Sequence, residues 1–374
     1  MTSSRPAVHL LDVATAVPPH VCTRAQAQTV AQQVFAEEPE ALSFLARLLD
    51  ASGIAQRHTV LADYSCPAEA RTFFGRATNF RPEPGTGQRN RLFVEAANEL
   101  SLAAASRLVE GDTAWRSRVT HLVTASCTGF SAPGFDIHLV RALGLSPRVA
   151  RTHVGFMGCY AGFSTLKLAR ALCQADPSAL VLVVHVELCT LHVHFRPDPD
   201  TLVANSLFAD GVAAALVGGH AHGPLGRQPL SLCGEASFLL PGGEEDMTWH
   251  IGDHGFDMTL SPRVPFLLHK HLPSAFAALL DERQVSRDEI AHWAIHPGGP
   301  AILEKACKAL GLDERHVQVS RDVLAGHGNM SSSTIFFLLD QIRRRREPGF
   351  VYACGFGPGL TLESALLHHP GAIS

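Results

Sequence analysis

Residues 179–188 read Ala-Leu-Val-Leu-Val-Val-His-Val-Glu-Leu, an almost unbroken β-branched and apolar run. A strand with one wet face would alternate, so this run predicts a central strand covered by helices on both sides. Shorter runs of the same kind stand at 120–125, 212–217, 292–295 and 350–354. Between them, 92–108 and 264–280 carry the longer, mixed apolar pattern of helices, and the alternation predicts a layered α/β fold. The segment from Gly218 to Pro229, rich in glycine, histidine and proline, is the expected boundary between two halves, 1–222 and 223–374.

Composition narrows the function classes. The chain has 374 residues, 46% apolar and 18% charged, and a net charge of −4. That balance suits a well-buried globule and gives no general attraction to nucleic acid or an anionic membrane. No apolar stretch approaches the roughly 18 residues of a membrane span, and Met1 to Pro6 lack the apolar centre of a signal peptide, so the expected location is the cytoplasm. Nine cysteines scattered among apolar residues fit reduced thiols. Arg343 to Arg346 closes the last helix and is expected to face water. His192 with His194, and His185 with Glu187, would share strand faces, but no third ligand at a metal-site spacing accompanies them, so no metal is expected.

Cys159 is the strongest candidate for chemistry. It sits in Gly155-Phe-Met-Gly-Cys-Tyr-Ala-Gly-Phe-Ser164, a Gly-flanked turn opening an apolar helix over 163–172. Unpaired N–H groups at a helix start favour a thiolate, and small neighbours admit a bulky thioester. Taken alone, a cysteine among apolar residues is more often simply core. Two partners raise its standing. His296 ends a short strand at His-Pro-Gly-Gly-Pro, and Asn329 lies in Gly-His-Gly-Asn-Met-Ser-Ser-Ser before the apolar helix 334–342. Histidine at a strand end and asparagine at a turn each have bland readings as a satisfied polar group and a cap.

The halves share a layout. Cys127 ends one strand 32 positions before Cys159, and His296 ends another 33 positions before Asn329. Both second members precede a long apolar helix. We therefore read a duplicated unit whose copies face each other and bring the three side chains together.

At these residues the chain resembles the type III polyketide synthases, the chalcone and stilbene synthase-like family of thiolase-fold ketosynthases. The matching motifs are Gly158-Cys159, His296 to Pro300, Gly328 to Ser332, and Gly-Phe-Gly-Pro-Gly-Leu-Thr at 355–361, in family order. The resemblance implies a duplicated five-layered αβαβα fold, a homodimer, and a Cys159–His296–Asn329 site reached by a coenzyme A tunnel. It implies acyl-CoA and malonyl-CoA as substrates and no cofactor. Cys159 would hold the acyl starter, while His296 and Asn329 stabilise the enolate left when malonyl-CoA loses carbon dioxide.

The same resemblance assigns the pocket. Phe208 matches one gatekeeper, and the second falls at Met258 or Phe256. Gly298 and Gly299 adjoin the histidine, and Gly355, Phe356 and Gly357 form a loop beside the cyclisation cavity. Cys127, Cys189 and His192 replace threonines of the plant enzymes and are expected to change the hydrogen-bond lining. Ala132 stands where a methionine reaches into the neighbouring subunit's cavity. Of the basic residues for the CoA phosphates only Arg57 remains. Smaller gate residues point to a long aliphatic starter closed into a pyrone or resorcinol. The rivals are a ketoacyl synthase of fatty-acid initiation, which usually carries His-Gln-Ala-Asn instead of His-Pro-Gly-Gly, and a cysteine thioesterase or acyl hydrolase.

Overall fold

The computed structural model describes residues 7–219, 222, 225 and 228–371. Half of the Gly218–Pro229 boundary and all of Met1 to Pro6 lie outside the described residues. The strands are β1 (Val8–Ala16), β2 (His20–Thr23), β3 (Gln56–Thr59), β4 (His121–Ser126), β5 (Ala150–Gly155), β6 (Leu180–Leu188), β7 (Asp210–Gly219), β8 (Leu230–Leu239), β9 (Met247–Gly252), β10 (Gly255–Leu260), β11 (Ile290–Ile295), β12 (Gly349–Gly357) and β13 (Thr361–His369). The α-helices are α1 (Arg24–Val34), α2 (Pro39–Ala51), α3 (Thr86–Ser106), α4 (Phe135–Ala142), α5 (Ala161–Ala175), α6 (Pro199–Leu207), α7 (Val264–Arg283), α8 (Pro300–Leu310), α9 (Gln318–His327) and α10 (Thr334–Arg343).

Nine strands form one sheet in the order β11-β12-β13-β8-β1-β7-β6-β4-β5. Its seam is β1 with β8, where His9 pairs with Ser231 and Leu10 with Leu230. On one side, β1-β7-β6-β4 are joined antiparallel, antiparallel and then parallel. On the other, β8-β13-β12-β11 repeat that sequence of joins. The duplication expected from motif spacing is thus present as a repeated strand order, to which the first half adds β5 at the edge.

Period-two alternation then makes layers. On β6, Val181 and Val183 join the core shared with α5 and α10, while Leu180, Leu182 and Val184 join the core shared with α3 and α4. The outer face of the second half packs on α7 and α8 through Trp293, Tyr352 and Leu303. Helices α3 and α4, sheet, α5 and α10, sheet, α7 and α8 make five layers. Because α10 lies between the two halves of the sheet, Ile335, Phe336, Leu338 and Leu339 are buried all round rather than along one stripe. Truncating one, as in Leu338→Ala, is expected to cost about 2–5 kcal/mol.

The structure corrects one surface reading. Arg343 is not a solvent-facing cation: it is buried and pairs with Asp12 at 2.5 Å and Asp340 at 2.9 Å. It therefore ties α10 to β1.

Candidate active site

Cys159 lies two residues before α5, in a turn that requires Gly158 at φ +79°. A Cβ at Gly158 would overlap Pro358, so the turn also rests against the 355–361 loop. His296 follows β11 and takes its place through its N–H bond to the Cys354 carbonyl at 2.8 Å. Asn329 follows Gly328, at φ +76°, and its backbone bridges Leu207 and Ala209 at 3.0 and 2.9 Å. These elements bring all three side chains to one cavity of about 520 Å³, with Phe208, Met258, Cys127, Cys189, His192, Gly298, Gly299 and Phe356 also on its wall. Phe256, the alternative to Met258, lines it as well, so the two gate candidates share a wall.

The amide of Asn329 has a determined orientation. Its Oδ1 accepts the N–H of Ser331 at 2.9 Å, and since a backbone N–H can only donate, the Nδ2 donors are left for another partner. His296 is 1% exposed, yet neither ring nitrogen makes a hydrogen bond within the described residues. An unpartnered buried polar ring is costly, and its presence at a cavity wall marks a group held ready for a ligand.

Burial sets the charge state of the empty site. It pushes the Cys159 thiol up to about 12, against the pull of the Ser331 hydroxyl, and the His296 imidazole down to about 4, against that of Asn329. The expected thiolate-favouring effect of the helix start is outweighed by desolvation. Each group alone is neutral at pH 7. Beneath them Glu187, fully buried and pushed up to about 7 by desolvation, accepts from Cys127 N, Thr128 Oγ1 and Ser332 Oγ at 3.1, 3.0 and 2.5 Å.

Several predicted pocket residues have other duties. Arg57 does not line the cavity: its guanidinium donates to the Asn205 and Phe208 carbonyls at 2.5 and 3.1 Å and so fixes the Phe208 segment. Among the described residues no lysine or arginine lines the cavity, whereas Asp200 and Glu304 do. Gly355 and Gly357 are behind the wall, where a Cβ would strike Phe163 or Tyr160. Ala132 is exposed and outside the cavity of its own chain. His192 does not offer free hydrogen bonds, because Nε2 meets Thr128 O at 2.7 Å and Nδ1 accepts from Phe256 N at 3.1 Å. Cys127 Sγ accepts the Gly158 N–H at 2.9 Å, which braces the nucleophile turn. Among the described residues no group of three His, Cys, Asp or Glu side chains could hold a metal ion.

Sequence reasoning missed the apolar wall. Met247 and Trp249 on β9 face Leu260 and Met258 on β10 across a hairpin whose tip is Gly-Asp-His-Gly. Alternation at 247, 249 and 256, 258, 260 around that tip was a readable hairpin signal. Phe44 and Leu48 of α2 and Val203 and Leu207 of α6 add to the wall at helical i, i+4 spacing.

Comparison with known proteins gives the family. Residues 2–221 match the model of the N-terminal domain of chalcone and stilbene synthases, and residues 232–370 match that of the C-terminal domain. The alpha-pyrone synthesis polyketide synthase-like Pks18 of Mycobacterium tuberculosis is 34% identical over 294 residues, covering 77% of this chain and 75% of the relative, and Pks18 of Mycobacterium bovis matches equally. Among solved structures, PKS-I of the brown alga Ectocarpus siliculosus superposes with a TM-score of 0.90 at 28% identity, covering 99% of this chain and 100% of that one. The C-terminal type III polyketide synthase domain of Steely1 from Dictyostelium gives 0.88 at 26% identity, covering 97% and 99%. With its thiolase-like five-layered fold and its two matched domains, the chain belongs to the chalcone and stilbene synthase family and is a type III polyketide synthase, a condensing enzyme of the acyltransferase kind.

Proposed function

We propose that this synthase loads an acyl-CoA starter on Cys159, extends it with malonyl-CoA and closes the chain to an α-pyrone or resorcinol. The observation that carries the assignment is the convergence of Cys159, the unpartnered His296 ring and the oriented Asn329 amide on one cavity. In loading, Sγ gives its proton to His296 and attacks the starter carbonyl; the carbonyl re-forms as CoA thiolate leaves and recovers that proton. In extension, malonyl-CoA loses carbon dioxide, and the resulting enolate oxygen is held by an imidazole N–H and the Asn329 Nδ2 donors. The enolate carbon attacks the Cys159 thioester, the Cys159 thiolate leaves, and a β-ketoacyl-CoA two carbons longer is formed.

A long aliphatic starter is supported by the walls of Leu48, Val203, Leu207, Met258 and Leu260. Pyrone closure is supported by likeness to a relative named for alpha-pyrone synthesis. The half 1–222 supplies the nucleophile, and 223–374 supplies the histidine and asparagine. The enzyme works as a homodimer through the β5 edge, where residues 150–153 are exposed beside Phe130 and Phe156. Nine free thiols suit the cytoplasm, and among the described residues no helix is long and apolar enough to cross a membrane.

The test is product mass spectrometry with malonyl-CoA and acyl-CoA starters from acetyl through aromatic to long-chain. Pyrones or resorcinols bearing a long starter chain are expected. Release of free acid and CoA without carbon dioxide would overturn the reading in favour of a hydrolase.

A further inference from the structure

Strand β6 carries two titratable side chains on one face, His185 and Glu187, and both are fully buried. Neither lines the cavity. Thr165 of α5 and Ser332 of the Asn329 turn, equally buried, join them into one chain of hydrogen bonds. Thr165 Oγ1 lies 3.0 Å from the Gly162 carbonyl and 2.7 Å from His185 Nε2. His185 Nδ1 lies 2.9 Å from Ser332 Oγ, which in turn lies 2.5 Å from Glu187 Oε1. The other carboxyl oxygen, Oε2, accepts from Cys127 N and Thr128 Oγ1 at 3.1 and 3.0 Å.

This chain can be satisfied in two directions. Burial pushes the His185 imidazole down to about 3, so the ring is neutral and carries one proton. With Glu187 ionised, Thr165 donates to Nε2, Nδ1 donates to Ser332, and Ser332 donates to the carboxylate. With Glu187 protonated on Oε1, the carboxyl donates to Ser332, Ser332 to Nδ1, Nε2 to Thr165, and Thr165 to the Gly162 carbonyl. Every group keeps a partner in both states.

Reversal matters because of where Glu187 stands. Besides burial, its charge raises the thiols of Cys159, Cys127 and Cys189. Cys189 also feels Asp210 of β7, and His185 feels His153 of β5. A negative charge beneath the cavity opposes any thiolate or enolate formed in it. Burial holds Glu187 up at about 7, so both of its states are accessible.

We infer that His185 is a positioning residue that, by exchanging tautomers, keeps Glu187 bonded as a neutral acid while the cavity carries the negative charge of the reaction. This rests on the condensing chemistry proposed above. Neither residue touches substrate. The proton that Glu187 takes up comes from solvent as anionic malonyl-CoA binds; the chain ends on the Gly162 carbonyl, so it stores a direction and does not conduct. Because the neutral acid is the working form, activity is present at lower pH and lost as pH rises through the Glu187 titration.

The test is the pH profile of malonyl-CoA decarboxylation, with each variant scaled to its own maximum. The parent is expected to lose activity on the alkaline side, and Glu187→Gln to lack that fall. His185→Leu is expected to move the fall about one pH unit lower, because the reversed chain then leaves the Ser332 proton without an acceptor. His185→Asn, whose amide oxygen can take that proton, should move it less. A fall unmoved in His185→Leu, moved equally in His185→Asn, or kept in Glu187→Gln would overturn the inference. If His185→Leu does not fold, Glu187→Gln alone decides. Infrared titration of the carboxylic acid C=O stretch, assigned by its absence in Glu187→Gln, reads the same group without turnover, and its midpoint is expected about one pH unit lower in His185→Leu. Equal midpoints overturn the role of His185, whereas absence of carbon dioxide release by the parent enzyme overturns only the reaction assigned above.

Discussion

The turn that carries Cys159 and the turn that carries Asn329 are two copies of one device. Each follows a glycine of positive φ, Gly158 at +79° and Gly328 at +76°, and each leads into a helix of the central layer. The strand ends beside them also correspond, Cys127 after β4 and His296 after β11. They differ in what those strand-end side chains do. Cys127 Sγ accepts the Gly158 N–H and supports its own turn, whereas both nitrogens of His296 are left unpaired at the cavity. One copy braces a turn that bears a thiol, and the other leaves an imidazole unsatisfied at the cavity. A duplicated fold can divide a reaction in this way because identical topology points both sets of side chains at the same space.

Breaking the copies separately should give different losses. Cys159→Ala should abolish extension, by about 10⁴-fold or more, while malonyl-CoA decarboxylation continues, since the donors of the other copy remain. Product yield measured beside carbon dioxide release checks this. His296→Ala should reduce both about 10³-fold, because in the proposed mechanism the ring is both thiol base and enolate donor. Asn329→Ala should lower decarboxylation about 10²-fold with starter loading changed only a few-fold. Equal loss of the two would make Asn329 a purely structural residue.

A pH profile sharpens the comparison. Burial raises the Cys159 thiol to about 12, so without a proton acceptor its thiolate is scarce at pH 7 and grows with pH up to that value. Alkylation of Cys159 in His296→Ala should therefore climb about tenfold per pH unit from 7 to 10, while the parent enzyme levels off earlier. Coincident profiles would mean that His296 does not take the thiol proton. The smallest effect belongs to the brace: Cys127→Ala should slow loading about fivefold, with Cys127→Ser recovering most of it.

The strands legible in the sequence are all largely buried on both faces, although β1 and β13, equally buried, were not read. The runs at 120–125, 179–188, 212–217, 292–295 and 350–354 correspond to β4, β6, β7, β11 and β12. Strands at the seam, the edge and the hairpin were not read, because β5, β8, β9 and β10 mix polar and apolar residues where one face meets water or a cavity. The motifs pointed to Cys159, His296 and Asn329 because glycine turns and strand ends leave local marks. The duties of Arg57, His192 and Arg343 were misread for a common reason. Each is decided by a partner far along the chain, Phe208, Phe256 and Asp12 respectively, and residue type alone does not disclose it.

The most direct test is peptide-mapped mass spectrometry of the protein after mixing with a long-chain acyl-CoA, with Asn329→Ala and Cys159→Ala alongside. The account predicts one acyl group on Cys159 in the parent and in Asn329→Ala, and none in Cys159→Ala. Acylation of Cys127 or Cys189 in its place, or an adduct that survives in Cys159→Ala, would contradict it.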